Sequence, residues 1–243
     1  MDIIPLQVTI TMSTATVTNL ITSGYSLLAF AAVRCSDDAA QPLLWMARRE
    51  YGRTNVVQAP RRFQAYTVPS PVQAGQVVPG YQENILLGQM LTVGETGTGA
   101  VTQGATPRAI TIRNTSSRPL GCGISRVVDG RPAPICRLPL YGHNGQVIEP
   151  VPTILLMFSN LESAAGAPFD TAVGPGVLLD LRTVRQAQVT YDINGGWDWQ
   201  RAPWGRAVEF GDPLRPLLVA PSTDLARRAE LARNPALTST SPR

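Results

Sequence analysis

The sequence predicts an all-β protein, an antiparallel β-sandwich of about a dozen strands with a short C-terminal helix. Three observations support this fold class. Apolar and polar residues alternate in many short runs, turn residues recur about every 8–12 residues, and amphipathic helices between the runs are missing. A βαβ fold needs such helices between its strands.

The first run shows the alternation most clearly. In residues 6–13, apolar side chains alternate with polar ones, which predicts a strand with one dry face. Residues 14–22 repeat the pattern, and residues 24–34 are apolar enough for a central strand. Further strands are predicted at residues 42–49, 61–68, 84–93, 109–114, 120–128, 133–141, 152–160, 176–182, 187–193, 206–210 and 215–220.

Proline and glycine interrupt the series at two places. Residues 68–82 carry three prolines and two glycines, which predicts a loop or a meandering edge. Residues 94–104 are glycine-rich and predict a flexible hairpin. They do not predict a phosphate-binding loop, because the lysine and the following helix of that motif are missing.

One helix is predicted at the C-terminal end. Ser222 or Thr223 caps it, helix-forming residues follow, and it stops before Pro235. Leu225, Ala229 and Ala232 with Leu231 give it a thin apolar stripe. We expect a sandwich domain over residues 1–221, the helix over residues 222–235 and a disordered tail over residues 236–243.

The composition indicates a surface poor in charge. Hydrophobic residues make up 44% of the 243 residues and charged residues only 16%, against a usual value of about 25%. Such a surface takes its polarity from Thr, Ser, Asn and Gln, which is typical of proteins that bind sugars or pack against their own copies. All 21 basic residues are arginine, which excludes functions that require a lysine, such as Schiff-base formation.

The basic residues do not form the pattern of a nucleic-acid-binding protein. The net charge is only +4, and the densest group comprises Arg48, Arg49, Arg53, Arg61 and Arg62. A nucleic-acid site normally has a longer basic stripe interleaved with aromatic residues. We interpret this group as a solvated face and predict no nucleic-acid partner.

The cysteines predict neither a disulfide framework nor a metal site. Cys35, Cys122 and Cys136 are odd in number and lack a short paired spacing. Export would allow Cys122 to pair with Cys136, but free buried thiols are the favoured interpretation. No cofactor and no metal ligand are predicted.

The first residues lack the features of a secretory signal. They have no basic region, no long apolar run and no small-residue cleavage site. The most apolar window, residues 26–33, is too short to span a bilayer. We expect a soluble cytoplasmic chain, unless a signal-independent route exports it.

A hydrolase is the weakest of the functional hypotheses. His143 is the only histidine, so a Ser/His/Asp triad would have to use it, but its surroundings predict a tight turn. Asp192 and Asp198 flank the tryptophans and are the best pair for glycosidase chemistry, although turn capping explains them equally well. We predict no enzymatic activity.

Three of the four tryptophans lie within residues 192–205. Trp197 and Trp199 are two residues apart, so on an extended strand they face the same side. Facing inward they form a core plug, where truncation of each costs about 3–5 kcal/mol. Facing outward they form a platform for sugar, a lipid headgroup or another subunit. The candidate ligand-binding residues are Trp197, Trp199, Trp204, Asp192 and Asp198.

Five motifs of the chain are QAYT (64–67), CGIS (122–125), LYGHNGQVIEPV (140–151), ILLMFS (154–159) and YDINGGWDW with a later Trp (191–204). They resemble motifs of the bacterial and fungal family that includes RhiA, the rhizosphere-expressed protein of rhizobia. The likeness runs from about residue 5 to 220 and leaves the C-terminal helix outside. It implies an abundant soluble protein, expressed under population-density control, without an established activity or an active site to carry over.

Together these observations favour a non-enzymatic binding or self-associating protein. Its charge-poor sheet surface would contact copies of itself, as a homo-oligomer, or a carbohydrate. A membrane-interacting protein of the pore-forming type is the alternative, since the tryptophans supply an aromatic patch and the positive charge favours anionic lipid. A hydrolase that uses His143 or the Asp192/Asp198 pair comes last.

Overall fold

The computed structural model describes residues 6–69, 75–104 and 106–233, and it confirms the all-β class with a helix near the C-terminal end. The helices are α1 (Thr14–Thr22), α2 (Arg215–Leu218) and α3 (Thr223–Arg233). The strands are β1 (Leu6–Met12), β2 (Ser26–Cys35), β3 (Gln41–Pro42), β4 (Met46–Arg48), β5 (Thr54–Ala59), β6 (Phe63–Pro69), β7 (Tyr81–Ile85), β8 (Gln89–Val93), β9 (Gly99–Gln103), β10 (Ile110–Asn114), β11 (Leu120–Val128), β12 (Arg131–Leu140), β13 (Gly145–Ser159), β14 (Gly176–Asp180), β15 (Gln186–Asp192), β16 (Gly196–Asp198), β17 (Gly205–Val208) and β18 (Val219–Pro221).

The described strands form three sheets. The four-stranded sheet has the order β16-β15-β1-β5, and the five-stranded sheet has the order β3-β12-β11-β6-β7. The nine-stranded sheet follows β17-β14-β13-β10-β8-β9, with β2 paired to β13 and both β4 and β18 paired to β2. Most pairs are antiparallel, as expected, but β1 with β15, β8 with β10 and β2 with β18 are parallel.

Strand β2 lies at the centre of the core and is buried on both faces. Alternate residues from Leu27 to Val33 belong to the main hydrophobic cluster, which extends into all three sheets. The intervening residues from Leu28 to Ala32 face a second cluster that includes Phe169 and Leu218. This double burial explains why the segment reads as one continuous apolar run and confirms the predicted central strand.

The strand predicted at residues 14–22 is wrong, because this segment is helix α1. Ser13 is its N-cap and its Oγ accepts a hydrogen bond from the Thr16 backbone N–H at 3.0 Å. Thr16 and Leu20, one helical turn apart, are the two buried residues of the helix. The alternation of Thr with apolar residues is typical of a strand. The N-cap and the four-residue spacing of the buried side chains are instead typical of a helix.

Other strand predictions change in their details. Residues 42–49 divide into the ends of β3 and β4, and residues 215–220 begin as helix α2, whose first turn contains Pro216, before β18. Strand β5 was not predicted, since its inward position Asn55 is polar. The Asn55 amide exchanges hydrogen bonds with the Gly52 backbone, which satisfies it inside the core.

The C-terminal helix is confirmed as α3. Ser222 Oγ accepts from the Leu225 backbone N–H at 3.5 Å, so Ser222 is the capping residue. Leu225 and Ala229 pack against Ala109 and Val147 of the sandwich. The last two residues of the predicted helix, 234–235, and the predicted tail, residues 236–243, lie outside the described residues.

Two predicted connections have different outcomes. The hairpin at residues 94–104 is confirmed, because β8 and β9 pair antiparallel around it. Residues 75–80 of the predicted loop have no regular structure, whereas residues 68–69 still belong to β6 and Tyr81 already begins β7. Residues 70–74 of that loop lie outside the described residues.

Candidate functional site

Trp197 lies on the β15–β16 hairpin and faces the core. It pairs across the hairpin with Tyr191, and its indole stacks on Phe158 with ring centroids 5.5 Å apart and an interplanar angle of 17°. Its Nε1 donates to the Pro175 carbonyl at 3.1 Å. The ring is nonetheless only half-buried. Trp197 therefore closes the edge of the core and keeps part of its surface open to solvent.

Trp199 and Trp204 are half-buried in the same way. Both pack against the main hydrophobic cluster, and Trp199 lies directly against the backbone of Gly205. Among the described residues the fully buried tryptophan is Trp45, whose Nε1 donates to the Arg126 carbonyl at 3.3 Å. The tryptophan that fills the centre of the core is thus Trp45. The predicted cluster packs on the edge of the core and is neither fully buried nor fully exposed.

Asp192 and Asp198 lie on the opposite face of the hairpin from Trp197, because side chains alternate along each strand. Asp192 Oδ1 accepts from the backbone N–H groups of Asn194 and Gly195, and its Oδ2 accepts from the Thr16 hydroxyl. Asp198 Oδ1 accepts from the Gln200 backbone N–H at 2.7 Å. Both carboxylates therefore cap turns.

The electrostatics of Asp192 do not suit a general acid. Hydrogen bonds hold the pKa of Asp192 below its ordinary value. The largest contribution comes from the Asn194 backbone N–H, followed by the Gly195 backbone N–H and the Thr16 hydroxyl. A glycosidase acid needs the opposite shift. A shallow groove of about 450 Å³ contains both carboxylates together with Tyr191, but no tryptophan lines it. The five predicted binding residues stay a prediction, and the structure divides them between two faces.

His143 occupies a turn, as predicted. Its φ of 52° lies in the left-handed region, its backbone N–H donates to the Ser116 carbonyl at 3.0 Å, and its side chain is exposed. Within residues 6–69, 75–104 and 106–233, no cluster of three potential metal ligands is found. The three cysteines are free and buried, which confirms that prediction.

A cleft of about 770 Å³, lined by several charged residues, lies where the three sheets meet. Leu6 comes from the four-stranded sheet, Phe63 from the five-stranded sheet and residues 149–153 from the nine-stranded sheet. Among the described residues that line this arginine cleft, Glu149 is the only acid and six are basic. The six are Arg34, Arg61, Arg108, Arg126, Arg182 and Arg185.

A bulge in β13 makes one wall of the arginine cleft. Pro150 pairs with Val33 of β2, and the next paired position is Ile154 with Ala31, so residues 151–153 leave the ladder with β2. Two prolines in this segment, Pro150 and Pro152, explain the break, because proline offers no N–H to a neighbouring strand. Bulges of this kind often shape binding sites.

Arg126 lies at the base of the cleft and is 3% exposed. It continues the inward-facing row of β11 after Ile124, so alternation directs a charged side chain to the core side of the strand. Its guanidinium lies over the Phe63 ring at 5.3 Å and the Trp45 ring at 6.0 Å from their centroids. These contacts and its apolar stem explain how the core accommodates an arginine here.

The hydrogen bonds of the Arg126 guanidinium are incomplete. Nε donates to the Pro60 carbonyl at 3.1 Å, but Nη1 is buried and has no partner among the described residues. Burial, and then the nearby charge of Arg61, lowers the pKa of Arg126 to about 10, which leaves it protonated at neutral pH. A buried cation whose donors lack partners is costly and calls for an anion.

The single carboxylate of the cleft is already engaged. Glu149 pairs with Arg34, its cross-strand neighbour, at 2.6 Å, and approaches Arg108 at 4.0 Å. Arg182 is paired with Asp180, which lies outside the lining. Arg61 is exposed and forms no ion pair with any described residue. The cleft therefore retains a positive potential around Arg61 and Arg126.

Sequence reasoning missed this site because its arginines are far apart in the chain. The basic group it singled out disperses in the fold: Arg48 pairs with Asp129, Arg49 pairs with Glu162, and Arg61 lines the cleft. One local signal was present. Strict alternation in residues 120–128 places Arg126 on the apolar side of its strand, which is unusual for a charged residue.

No protein-family model, curated protein or solved structure matches this chain, so the resemblance to the RhiA family stays a prediction. None of the helices in the described part of the chain is long and apolar enough to cross a membrane.

Proposed function

We propose that the chain is a non-enzymatic binding protein whose ligand carries an oxyanion held in the arginine cleft. The single observation that carries this proposal is Arg126, a buried guanidinium whose Nη1 has no partner among the described residues. Phosphate, sulfate and carboxylate oxygens fit the planar fork of a guanidinium. Such a group at the cleft base satisfies Arg126 and neutralises Arg61.

The surrounding charges support an anion over a neutral ligand. Six arginines and one glutamate line the cleft, and that glutamate is engaged by Arg34. Low-dielectric walls strengthen the field that a cluster of like charges makes in such a cleft. A hydrogen bond to a charged group is worth about 1.5–3 kcal/mol, so the loss of Arg126 should weaken anion binding about 10- to 100-fold.

Calorimetric titration with sodium pyrophosphate, at an ionic strength held constant with sodium chloride, tests this proposal. We expect saturable binding that Arg126→Met weakens at least tenfold. Arg61→Gln and Arg62→Gln form a matched pair that leaves the core untouched. Both side chains are exposed, but only Arg61 lines the cleft. Arg61→Gln should weaken binding, whereas Arg62→Gln should leave it within twofold. Equal effects of the two, or no binding by the native protein, would refute the proposal.

A second candidate function is self-association through the outer face of the four-stranded sheet. Strands β5, β1 and β15 present nine positions in register on this face, and none is charged. In three rows they are Gln58, Gln7 and Gln186; Val56, Thr9 and Gln188; and Thr54, Thr11 and Thr190. Gln58 Nε2 already donates to Gln7 Oε1 across the strands at 3.2 Å.

A second copy of the chain is the partner that fits this threonine–glutamine face. Its side chains both donate and accept, so the same surface complements itself about a two-fold axis. None of the nine positions carries an aromatic ring on which a sugar could stack.

Light scattering after size exclusion, at micromolar concentration, measures this self-association. Thr9→Arg should split a dimer because like charges then meet at its centre, whereas Thr96→Arg, on the exposed β8–β9 hairpin, should not. A native protein that elutes only as a monomer refutes this second function.

A further inference from the structure

The arginine cleft has an apolar side as well as a basic one, and this bears on the chemistry of its ligand. We infer that the ligand is an amphiphile, an oxyanion joined to a short alkyl or aromatic body. This inference rests on the proposed function. The anion would lie against Arg126 and Arg61, and the apolar body would lie along the wall made by the β13 bulge.

The apolar side comprises a buried floor and an exposed rim. Phe63, Leu6 and Leu181 are 4%, 5% and 1% exposed and form the floor. Val151 of the bulge is half-exposed, and Leu87, in the β7–β8 connection, is 37% exposed. Large apolar side chains at the rim of a concave surface are typical of sites that bury the apolar part of a ligand.

The size of the cleft also favours a ligand larger than an inorganic ion. Its volume is about 770 Å³, within the range of about 300–1,000 Å³ typical of small-molecule sites. One water occupies about 30 Å³ of the liquid, so an ion of a few heavy atoms fills only a small part of this space. The remaining space borders apolar side chains. Displacement of water from these side chains by a hydrocarbon group is favourable.

A series of phosphate monoesters tests the inference directly. Calorimetric titrations with inorganic phosphate, butyl phosphate and hexyl phosphate, all below micelle formation, compare ligands with one headgroup and different chains. Each buried methylene should tighten binding about fourfold, so hexyl phosphate should bind about 15-fold more tightly than butyl phosphate. Hexyl glucoside, which has the chain without the anion, should bind at least tenfold more weakly than hexyl phosphate.

Two valines provide the matched variants. Val151→Thr places a hydroxyl on the cleft wall, and Val56→Thr makes the same change on the threonine–glutamine face, outside the cleft lining. Val151→Thr should reduce the preference for the hexyl over the butyl ester, whereas Val56→Thr should leave it unchanged. Val56 is exposed, and Val151 is half-exposed although it also packs against the second hydrophobic cluster. Threonine has nearly the shape of valine, so neither change opens a cavity.

The possible outcomes separate this inference from the proposed function. In one outcome Arg126→Met weakens phosphate binding, but the two esters differ in affinity by less than twofold. This result overturns the inference of an amphiphilic ligand and leaves the proposed anion site intact. Absence of binding by all three phosphates overturns the amphiphile, and absence of pyrophosphate binding as well overturns the proposed function too. Flotation with phosphatidylglycerol vesicles distinguishes the sources of such a ligand. Flotation that Arg126→Met abolishes identifies a membrane lipid, and hexyl phosphate binding without flotation identifies a free amphiphile.

Discussion

The buried thiols predict a steep loss of stability in alkali. Cys35, Cys122 and Cys136 are each 0% exposed. Burial raises the pKa of Cys35 from 9.0 to about 11 and that of Cys136 from 9.0 to about 12, and it raises the pKa of Cys122 well above its ordinary value. The folded protein therefore keeps these protons at a pH where the unfolded chain loses them.

The sign and size of the effect follow from proton linkage. A group whose pKa is higher in the folded state contributes stability that is complete below its unfolded pKa and is lost as the pH rises towards its folded pKa. For these thiols the loss begins near pH 9 and continues to about pH 11–12. At pH 10 each thiol costs between about 1 and 2 kcal/mol, so the three together cost about 4 kcal/mol.

Other groups make pH 8–10 the best window for the measurement. The pKa of Arg126 is lowered to about 10, so its deprotonation stabilises the folded state only above that pH. Tyr51 and Tyr66 have raised pKa values and ordinary values of 10.0, so their effect adds to the thiol effect mainly above pH 10.

Urea unfolding followed by circular dichroism, with a reductant at pH 8, 9 and 10, measures this loss. We expect the free energy of unfolding to fall by about 4 kcal/mol between pH 8 and 10, a large part of the roughly 5–15 kcal/mol typical of a domain. Cys122→Ala should remove about a third of the fall. Ile124→Val, on the same strand and also buried, should retain all of it. A fall below about 1 kcal/mol, or the same fall in Cys122→Ala, would refute the reasoning.

Two further predictions concern packing and capping. A Cβ at Gly205 would overlap the Trp199 ring, since it would lie 2.6 Å from the ring Cγ. Gly205→Ala should therefore lower the free energy of unfolding by about 1–3 kcal/mol and increase iodide quenching of tryptophan fluorescence. Gly52→Ala, which has open space around it, should do neither. Ser13→Ala removes the N-cap of α1 and should cost about 1 kcal/mol in urea unfolding, whereas Ser13→Asp, which also caps helices, should retain most of the stability.

Local pattern predicted the strands well wherever one face is dry or both faces are apolar. Residues 120–128 correspond to β11, and the alternating run at residues 6–13 corresponds to β1. The pattern failed where a polar side chain bonds to the backbone of a residue three positions away. Ser13 caps α1 at the end of an alternating run. Asn55 is a polar residue at an inward position of β5, so the apolar row of this strand is incomplete in the sequence. At Ser13 the capping bond begins a helix despite the alternation, whereas at Asn55 the strand forms and the polar residue only obscures its apolar row.

Recognition of the candidate site depended on distances that the sequence does not contain. The tryptophan cluster is visible in the sequence, but only the hairpin register reveals that Trp197 and the two aspartates face opposite sides. The cleft arginines are spread from residue 34 to residue 185 and meet only because three sheets converge.

By itself, the sequence determined the all-β class, the C-terminal helix, the free thiols and a surface poor in charge. Each of these follows from composition or from neighbours within a few residues, where side-chain periodicity and capping act. The tertiary structure alone decided the parallel pairing of β1 with β15, the burial of Arg126 and the position of the arginine cleft. These features depend on contacts between residues far apart in the chain, and packing of the whole core selects such contacts.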